Sequence, residues 1–401
     1  MFIQVHTLTS YPASLLNRDD AGFAKTIPFG GVTRTRVSSQ CLKKHWREVG
    51  GKAGLANLGN ASLRSRQIFR RRVAEPLIAA GKDATRVIVA TYVLMEYSSS
   101  KKFPGKRDIN DLMKLTVEDQ LKKLHQKQVT VFGPAEVKYF RNLVSDAADA
   151  AAGETKNTKV RDAILKWFKS KEKDTDIRAS IVAAADSMGI DAALFGRMVT
   201  SEIAAQGHAA VHVAHAMTTH AGQTESDYLT AVDILDPDNG AGTLQSIQLT
   251  SGVFYGYFAI DVPLLVANLE GLDSRKNWKS ADHTLAKDVI ARLIRAASTT
   301  SPGAKLGSTA PYSYSGFVMT EVGKAQPCQL ADAFLEPVSL ENKRLMQNSA
   351  KTLLKHARQM DRMYKTGNDR FVAFPIDVSN LINATQTNVP DLAIKTAEAI
   401  A

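Results

Sequence analysis

An α+β fold, a β-sheet with helices packed on one side and a large helical insertion, is what the residue pattern predicts. Strand-like stretches stand at the N-terminus and again beyond residue 211, and helical spacing fills the region between them. The element order, strand, helix, helical insertion, strands, helix, strand, suits that arrangement. With 401 residues, 44% hydrophobic and 23% charged, the chain has material for more than one core.

The elements follow in order. Ile3 and Val5 alternate with Gln4 and His6, the period of a half-buried strand. A loop begins at about Ser10 and runs through Asn17-Arg18-Asp19-Asp20 to Gly30-Gly31, where glycine permits backbone angles closed to other residues. A helix is expected over Ser39–Val49, capped by Ser38 or Ser39 and ended by Gly50, with Leu42, Trp46 and Val49 on its buried face. From about Ser62 to Met188 successive helical segments are separated by turn signals such as Gly81-Lys82-Asp83 and Gly133-Pro134. Strand character returns in Val211, Val213, His215, Met217 and Thr219, read as alternating along one face, and in Val253–Ile260. The polar excursion between them, His220 to Ser251, suggests a protruding arm. Helices at about Ala281–Ser298 and Glu341–Lys365 and a strand around Tyr314–Val322 complete the order.

Lys and Arg exceed Asp and Glu by 51 to 40, a formal charge of +11, so a polyanion is the first partner to consider. Eleven of the cations, against the single acid Glu48, fall between Arg34 and Arg72. Lys43 and Arg47, at i and i+4, share a helix face with Lys44 beside them. With Arg18, Arg34 and Arg36 they form a set suited to neutralising successive phosphates without reading bases. Tyr228 with Leu229 on the arm could stack on or wedge between bases of a single strand; ordinary packing is the alternative for Tyr228.

Other chemistry is weakly signalled. His208, His212, His215 and His220 have the residue type for a metal site, but strand spacing turns His212 and His215 to opposite sides. Asp19 and Asp20 could serve metal-dependent phosphodiester cleavage, although adjacent loop carboxylates are more often turn residues. No nucleotide-binding, nucleophile-elbow or deaminase signature occurs. Catalytic residues, metals and cofactors are therefore expected to be none. Two cysteines, Cys41 and Cys328, are too few for a disulfide framework and fit a cytoplasmic protein, and no apolar window suggests a membrane span.

Specific strings then matter. Leu16-Asn17-Arg18-Asp19-Asp20, Phe29-Gly30-Gly31 and Arg34-Thr35-Arg36-Val37-Ser38-Ser39-Gln40-Cys41-Leu42-Lys43-Lys44 are followed by Gly196-Arg197-Met198-Val199-Thr200-Ser201 and Ala214-His215-Ala216-Met217-Thr218-Thr219-His220. After these come Asp227-Tyr228-Leu229-Thr230-Ala231-Val232-Asp233, Ser251-Gly252-Val253-Phe254-Tyr255 and Pro302-Gly303-Ala304-Lys305. In this order they resemble the CasC-type backbone subunit of type I-E CRISPR Cascade.

The resemblance implies an RRM-like (ferredoxin-like) palm over residues 1–59 and 188–401, a helical fingers insertion over 60–187, and a thumb arm at about 214–252. It implies a non-catalytic scaffold that lines up in several copies along a CRISPR guide RNA and presents it for pairing with target DNA. Its partners would be neighbouring copies of itself and the other Cascade subunits: guide 5′-end, guide-processing, large and small. Arg18, Lys43 and Arg47 match positions that contact the RNA backbone, and Met198 one near the bases. Tyr228 and Leu229 match two thumb aromatics, from which Leu229 departs. Related backbone subunits that cut RNA with a palm-loop aspartate make cleavage the rival reading.

Overall fold

Ile3 and Val5 lie in the strand at the centre of the sheet. The computed structural model describes residues 1–50, 54–58, 62–100, 102–175, 189–196, 208–232, 241–272, 274–341 and 343–400. Its strands are β1 (Phe2–Ser14), β2 (Thr26–Phe29), β3 (Val32–Val37), β4 (Leu63–Ser65), β5 (Thr130–Phe132), β6 (Val211–Val213), β7 (Ala216–Thr218), β8 (Thr224–Val232), β9 (Ala241–Asp261), β10 (Ser315–Gly323), β11 (Asp369–Ala373) and β12 (Thr385–Gln386). Two units divide the chain: Met1–Asn57, Val211–Pro263 and Asp282–Ala401 form the first, Leu58–Ala210 and Leu264–Ala281 the second.

The first unit is mixed α/β, built on a sheet of order β12-β11-β10-β1-β9-β7-β3-β2, with β6 and β8 also pairing to β9. β1 is antiparallel to both β9 and β10. Helices α1 (Ser39–Glu48), α2 (Thr284–Thr299), α3 (Leu345–Tyr364) and α4 (Val389–Glu398) accompany it. With the β2–β3 hairpin and β8 set aside, β1, α1, β6–β7, β9, α2 and β10 run in the order β-α-β-β-α-β, each α-linked strand pair split by an antiparallel neighbour. The longer segment of the second unit, Leu58–Ala210, enters between α1 and β6, where the helical insertion was expected.

Helices cover both faces of this sheet, where one covered side was expected. Trp46 of α1 packs on Phe258 at 5.2 Å, whereas the adjacent Tyr257 and Tyr255 point the other way and join Leu8, Phe317, Leu353 and Leu354 in a core under α3. Gln4 and His6, expected at the wet side of a half-buried strand, are consequently 5% and 0% exposed. They survive there with polar partners at the Gln4 carbonyl oxygen and at both His6 ring nitrogens. Gln4 Oε1 accepts from the Tyr257 hydroxyl at 2.9 Å and the Cys328 amide at 2.7 Å. His6 Nδ1 meets the Tyr255 hydroxyl at 2.9 Å and its Nε2 meets Glu321 at 3.1 Å; an Nε2–H tautomer satisfies both.

Arg370 donates to Glu321 at 2.5 Å and to Asp361 of α3. Burial pushes the Glu321 carboxyl up, but the His6 hydrogen bond and the Arg370 charge outweigh it and hold the pKa down at about 2.

The 211–219 stretch also departs from simple alternation. Val213 opposes Phe258 and Met217 opposes Tyr255, so four steps on one strand meet three on the other. The extra residue, at Ala214-His215, is a bulge that turns Val213 and Met217 to opposite faces.

In the second unit, the helix Ala84–Ser100 is buried on most sides by Phe69, Val137, Phe140, Val144, Ile164 and Phe168, and β4 and β5 form a short antiparallel ladder. The described residues of 189–210 and of Leu264–Ala281 belong here, where the 188–401 stretch was expected to stand with the sheet. The Asn268 side-chain amide donates to the carbonyls of Ala193 and His208, at 3.0 Å each. Among the described residues no helix is long and apolar enough to cross a membrane.

Candidate nucleic-acid interface

One loop, 15–25, joins three of the family-like strings of the first unit, those at 16–20, 34–44 and 302–305. Asn17 ties it to the start of α1: its Oδ1 accepts from the Ser38 amide at 2.9 Å, while its carbonyl accepts from the Lys25 amide at 3.0 Å. Ser38 in turn caps the helix, accepting from the Cys41 amide. On the arm side Gln248 Oε1 accepts from the Ala24 amide at 3.0 Å, and Leu15 and Ala24 bury themselves with Ile247 and Leu249. The Ala304 amide donates to the Leu15 carbonyl at 2.8 Å, bringing in the Pro302–Lys305 segment. Strings up to 285 residues apart thus meet at one corner, from Asn17 through α1 and the arm's base to Pro302.

The cations there differ in their settings. Arg18 and Lys44 are exposed, and Lys43 and Arg47 are half-buried on the surface of α1. Burial and the positive Arg47 one turn away both lower the Lys43 pKa. An anion seated between them would relieve that repulsion. Lys44 pairs with Glu48 at 3.8 Å, both well exposed, a contact of small energy. Arg36 reaches the Thr26 carbonyl at 3.1 Å and His215 Nδ1 at 2.9 Å.

Arg34 is a correction. It is 0% exposed, and its guanidinium donates to the carbonyls of Phe29, Thr218 and Phe334 at 3.2, 3.2 and 2.6 Å. Its charge is spent inside the protein, so it offers nothing to a phosphate. The β2–β3 hairpin it braces turns on Gly30 and Gly31, both at positive φ, as a two-residue turn of this hand requires. A Cβ on Gly30 would stand 1.8 Å from the Leu335 carbonyl oxygen.

The arm is the β8–β9 ribbon. Tyr228 faces solvent, 67% exposed, opposite Ser246, and Leu229 pairs with Gln245 in the same ladder. Met198 lies outside the described residues. Sequence reasoning missed Phe23, Tyr312 and Tyr314, at 53%, 75% and 76% exposed; bulky rings among Gly, Pro and Ser in loops were the available signal.

The other candidate chemistries find ordinary roles. Asp19 Oδ1 accepts from the Ala21 and Phe23 amides at 3.0 and 2.9 Å, closing the turn that shapes the loop. His220 is 1% exposed, its Nδ1 on the Ala221 carbonyl and its Nε2 accepting from the Val253 amide. Burial lowers its pKa, and the neutral ring is the form that satisfies both bonds. Among the described residues no cluster of His, Cys, Asp or Glu could hold a metal ion.

The protein is thus of the mixed α/β class, with a corner where a helix, a loop and a ribbon bring several cations together. The CT1975-like protein family (Cas_CT1975) matches over residues 3–395, and the chain belongs to that family. No curated protein matches. Solved structures share the fold, the following two among them. A chain described as "CRISPR RNA-guided surveillance complex, pre-nicking" is similar with a TM-score of 0.80 at 23% identity, and one described as "CRISPR RNA-guided surveillance complex" with 0.57 at 19%; 100% of both chains is covered in each case.

Proposed function

We propose that this protein is a repeated, catalytically silent scaffold subunit of a type I-E CRISPR surveillance complex, gripping the guide RNA by its phosphates at the corner of α1, loop 15–25 and the β8–β9 arm. The observation that carries it is the tying of Arg18, Lys43 and Arg47 to one corner beside a ribbon that holds Tyr228 out to solvent. The palm is read as RRM-like from its β-α-β-β-α-β order. An RRM stacks bases on aromatics of an open sheet face, but here Tyr255 and Tyr257 are covered by α3. The grip is therefore assigned to the sheet's edge, the loops and the arm. The likeness to chains of RNA-guided complexes supports a guide RNA as the ligand, with target DNA, neighbouring copies and the other subunits as partners in a cytoplasmic assembly. The turn role of Asp19 favours this over RNA cleavage.

Co-expression with its genomic neighbours tests the reading. Short RNA of uniform length should co-purify, and Mg²⁺ with complementary RNA should give no cleavage. Purification free of RNA, or cleavage abolished by Asp19→Ala or Asp20→Ala, would overturn it.

A further inference from the structure

Far from that corner, α3 carries a second basic feature. Lys351, Lys355, Arg358 and Arg362, with Lys365 just past its end, follow at intervals of four, three, four and three residues. At 3.6 residues per turn these positions stay within an arc of roughly 80°. All five are exposed. Leu353, Leu354 and Ala357, on another side of the helix, bury themselves against the sheet. The one acid of α3, Asp361, is turned to Arg370. None of the described ion pairs uses any of the five.

Lys365 ends the helix at φ +52°, in the left-handed region where glycine is the usual residue. Here a cation stands there and lengthens the stripe. Because α3 covers the Tyr257 face and α1 the Phe258 face, the stripe is separated from the α1 corner by the sheet.

We propose that α3 is a second nucleic-acid track, binding the phosphate backbone of a DNA duplex independently of the α1 corner. Fourteen residues of helix rise about 21 Å. That is the axial advance of about six phosphates on one strand at 3.4 Å each. A row of cations with no ring inside its arc fits a rigid duplex backbone better than a single strand, which proteins hold largely by stacking its bases on aromatics. It also lacks the apolar centre on which a protein interface depends; the exposed Met363 and Tyr364 come only at its C-terminal end. The inference does not rest on the guide-RNA reading.

Anisotropy titrations of the full chain across salt, with a labelled DNA duplex of arbitrary sequence and a single-stranded RNA as probes, test it. In Lys355→Glu/Arg358→Glu/Arg362→Glu, duplex affinity should fall at least about tenfold and the salt slope should shrink by about 2.7, three contacts at about 0.9 each. RNA affinity should hold. Lys43→Ala/Arg47→Ala should show the reverse; if its RNA affinity held as well, the guide-RNA reading alone would fail. The glutamine version of the triple variant, which introduces no acids, guards against misfolding, with thermal melts as the check. Unchanged duplex binding, or equal losses on both probes, would overturn the proposal. So would loss of a co-purifying protein subunit with duplex binding intact, which would assign the stripe to an acidic protein surface.

Discussion

Two charged clusters lie on opposite faces of the same sheet and are built on opposite terms. Under α3, His6, Glu321, Arg370 and Asp361 turn inward and hold one another. At the α1 corner, Lys43 sits beside another cation, Arg47, and its pKa is driven down by burial and by that neighbour. The first cluster has its counter-charges built in and serves stability. The second brings the cations Arg18, Lys43, Lys44 and Arg47 to the surface, with the acids Asp19 and Glu48 near them, and suits an anionic ligand. The sequence writes Arg in both places, and only the neighbours distinguish them.

Replacing the inward partners should break the fold while leaving the basic surface chemically intact. Arg370→Ala leaves the Glu321 carboxylate buried without its cation and should cost roughly 3 to 5 kcal/mol in denaturant unfolding. The same cluster predicts a pH response. The folded pKa of Glu321, about 2, lies below the ordinary 4.5, so its contribution is complete above about pH 4.5 and is lost as pH falls toward 2. That loss amounts to about 3 kcal/mol. Acid titration of stability should show it, and Glu321→Gln should flatten that limb of the curve. Arg34→Ala, which strips three buried carbonyls of their donor, should cost roughly 2 to 3 kcal/mol with no direct effect on RNA contacts. A stability effect within 0.5 kcal/mol, roughly the range of ordinary surface changes, would return Arg34 to the surface set.

Outward changes should do the reverse. Tyr228→Ala should leave the melting temperature unchanged and weaken RNA binding by about 1 to 3 kcal/mol if the ring stacks on a base. Smallest of all, Lys365→Gly should stabilise the protein by about 1 kcal/mol, because glycine meets no steric penalty in the left-handed region.

The order of elements was legible because it rests on local periodicity: β1, α1, α2 and β10 all stand within a few residues of where their patterns place them. What stayed hidden depended on partners distant in the chain. Gln4 and His6 look like the wet side of a strand until α3 covers them. The 214–215 bulge shows only in the register against β9. Arg34 reads as one more cation because its three carbonyl partners lie 5, 184 and 300 residues away. The reach of the α1 surface was readable for the opposite reason, since Lys43 and Arg47 are set by helical spacing alone. The α3 stripe obeys the same spacing and was equally open to view.

Salt-dependent RNA binding separates the two clusters most directly. Wild-type protein and Lys43→Ala/Arg47→Ala, matched for thermal stability, would be titrated with single-stranded RNA of two unrelated sequences. The double variant should bind both more weakly, by a similar factor, with a salt slope reduced by about 1.4, two contacts at about 0.7 each. Equal affinity and slope in the two proteins would contradict the assignment of the α1 corner as the RNA grip.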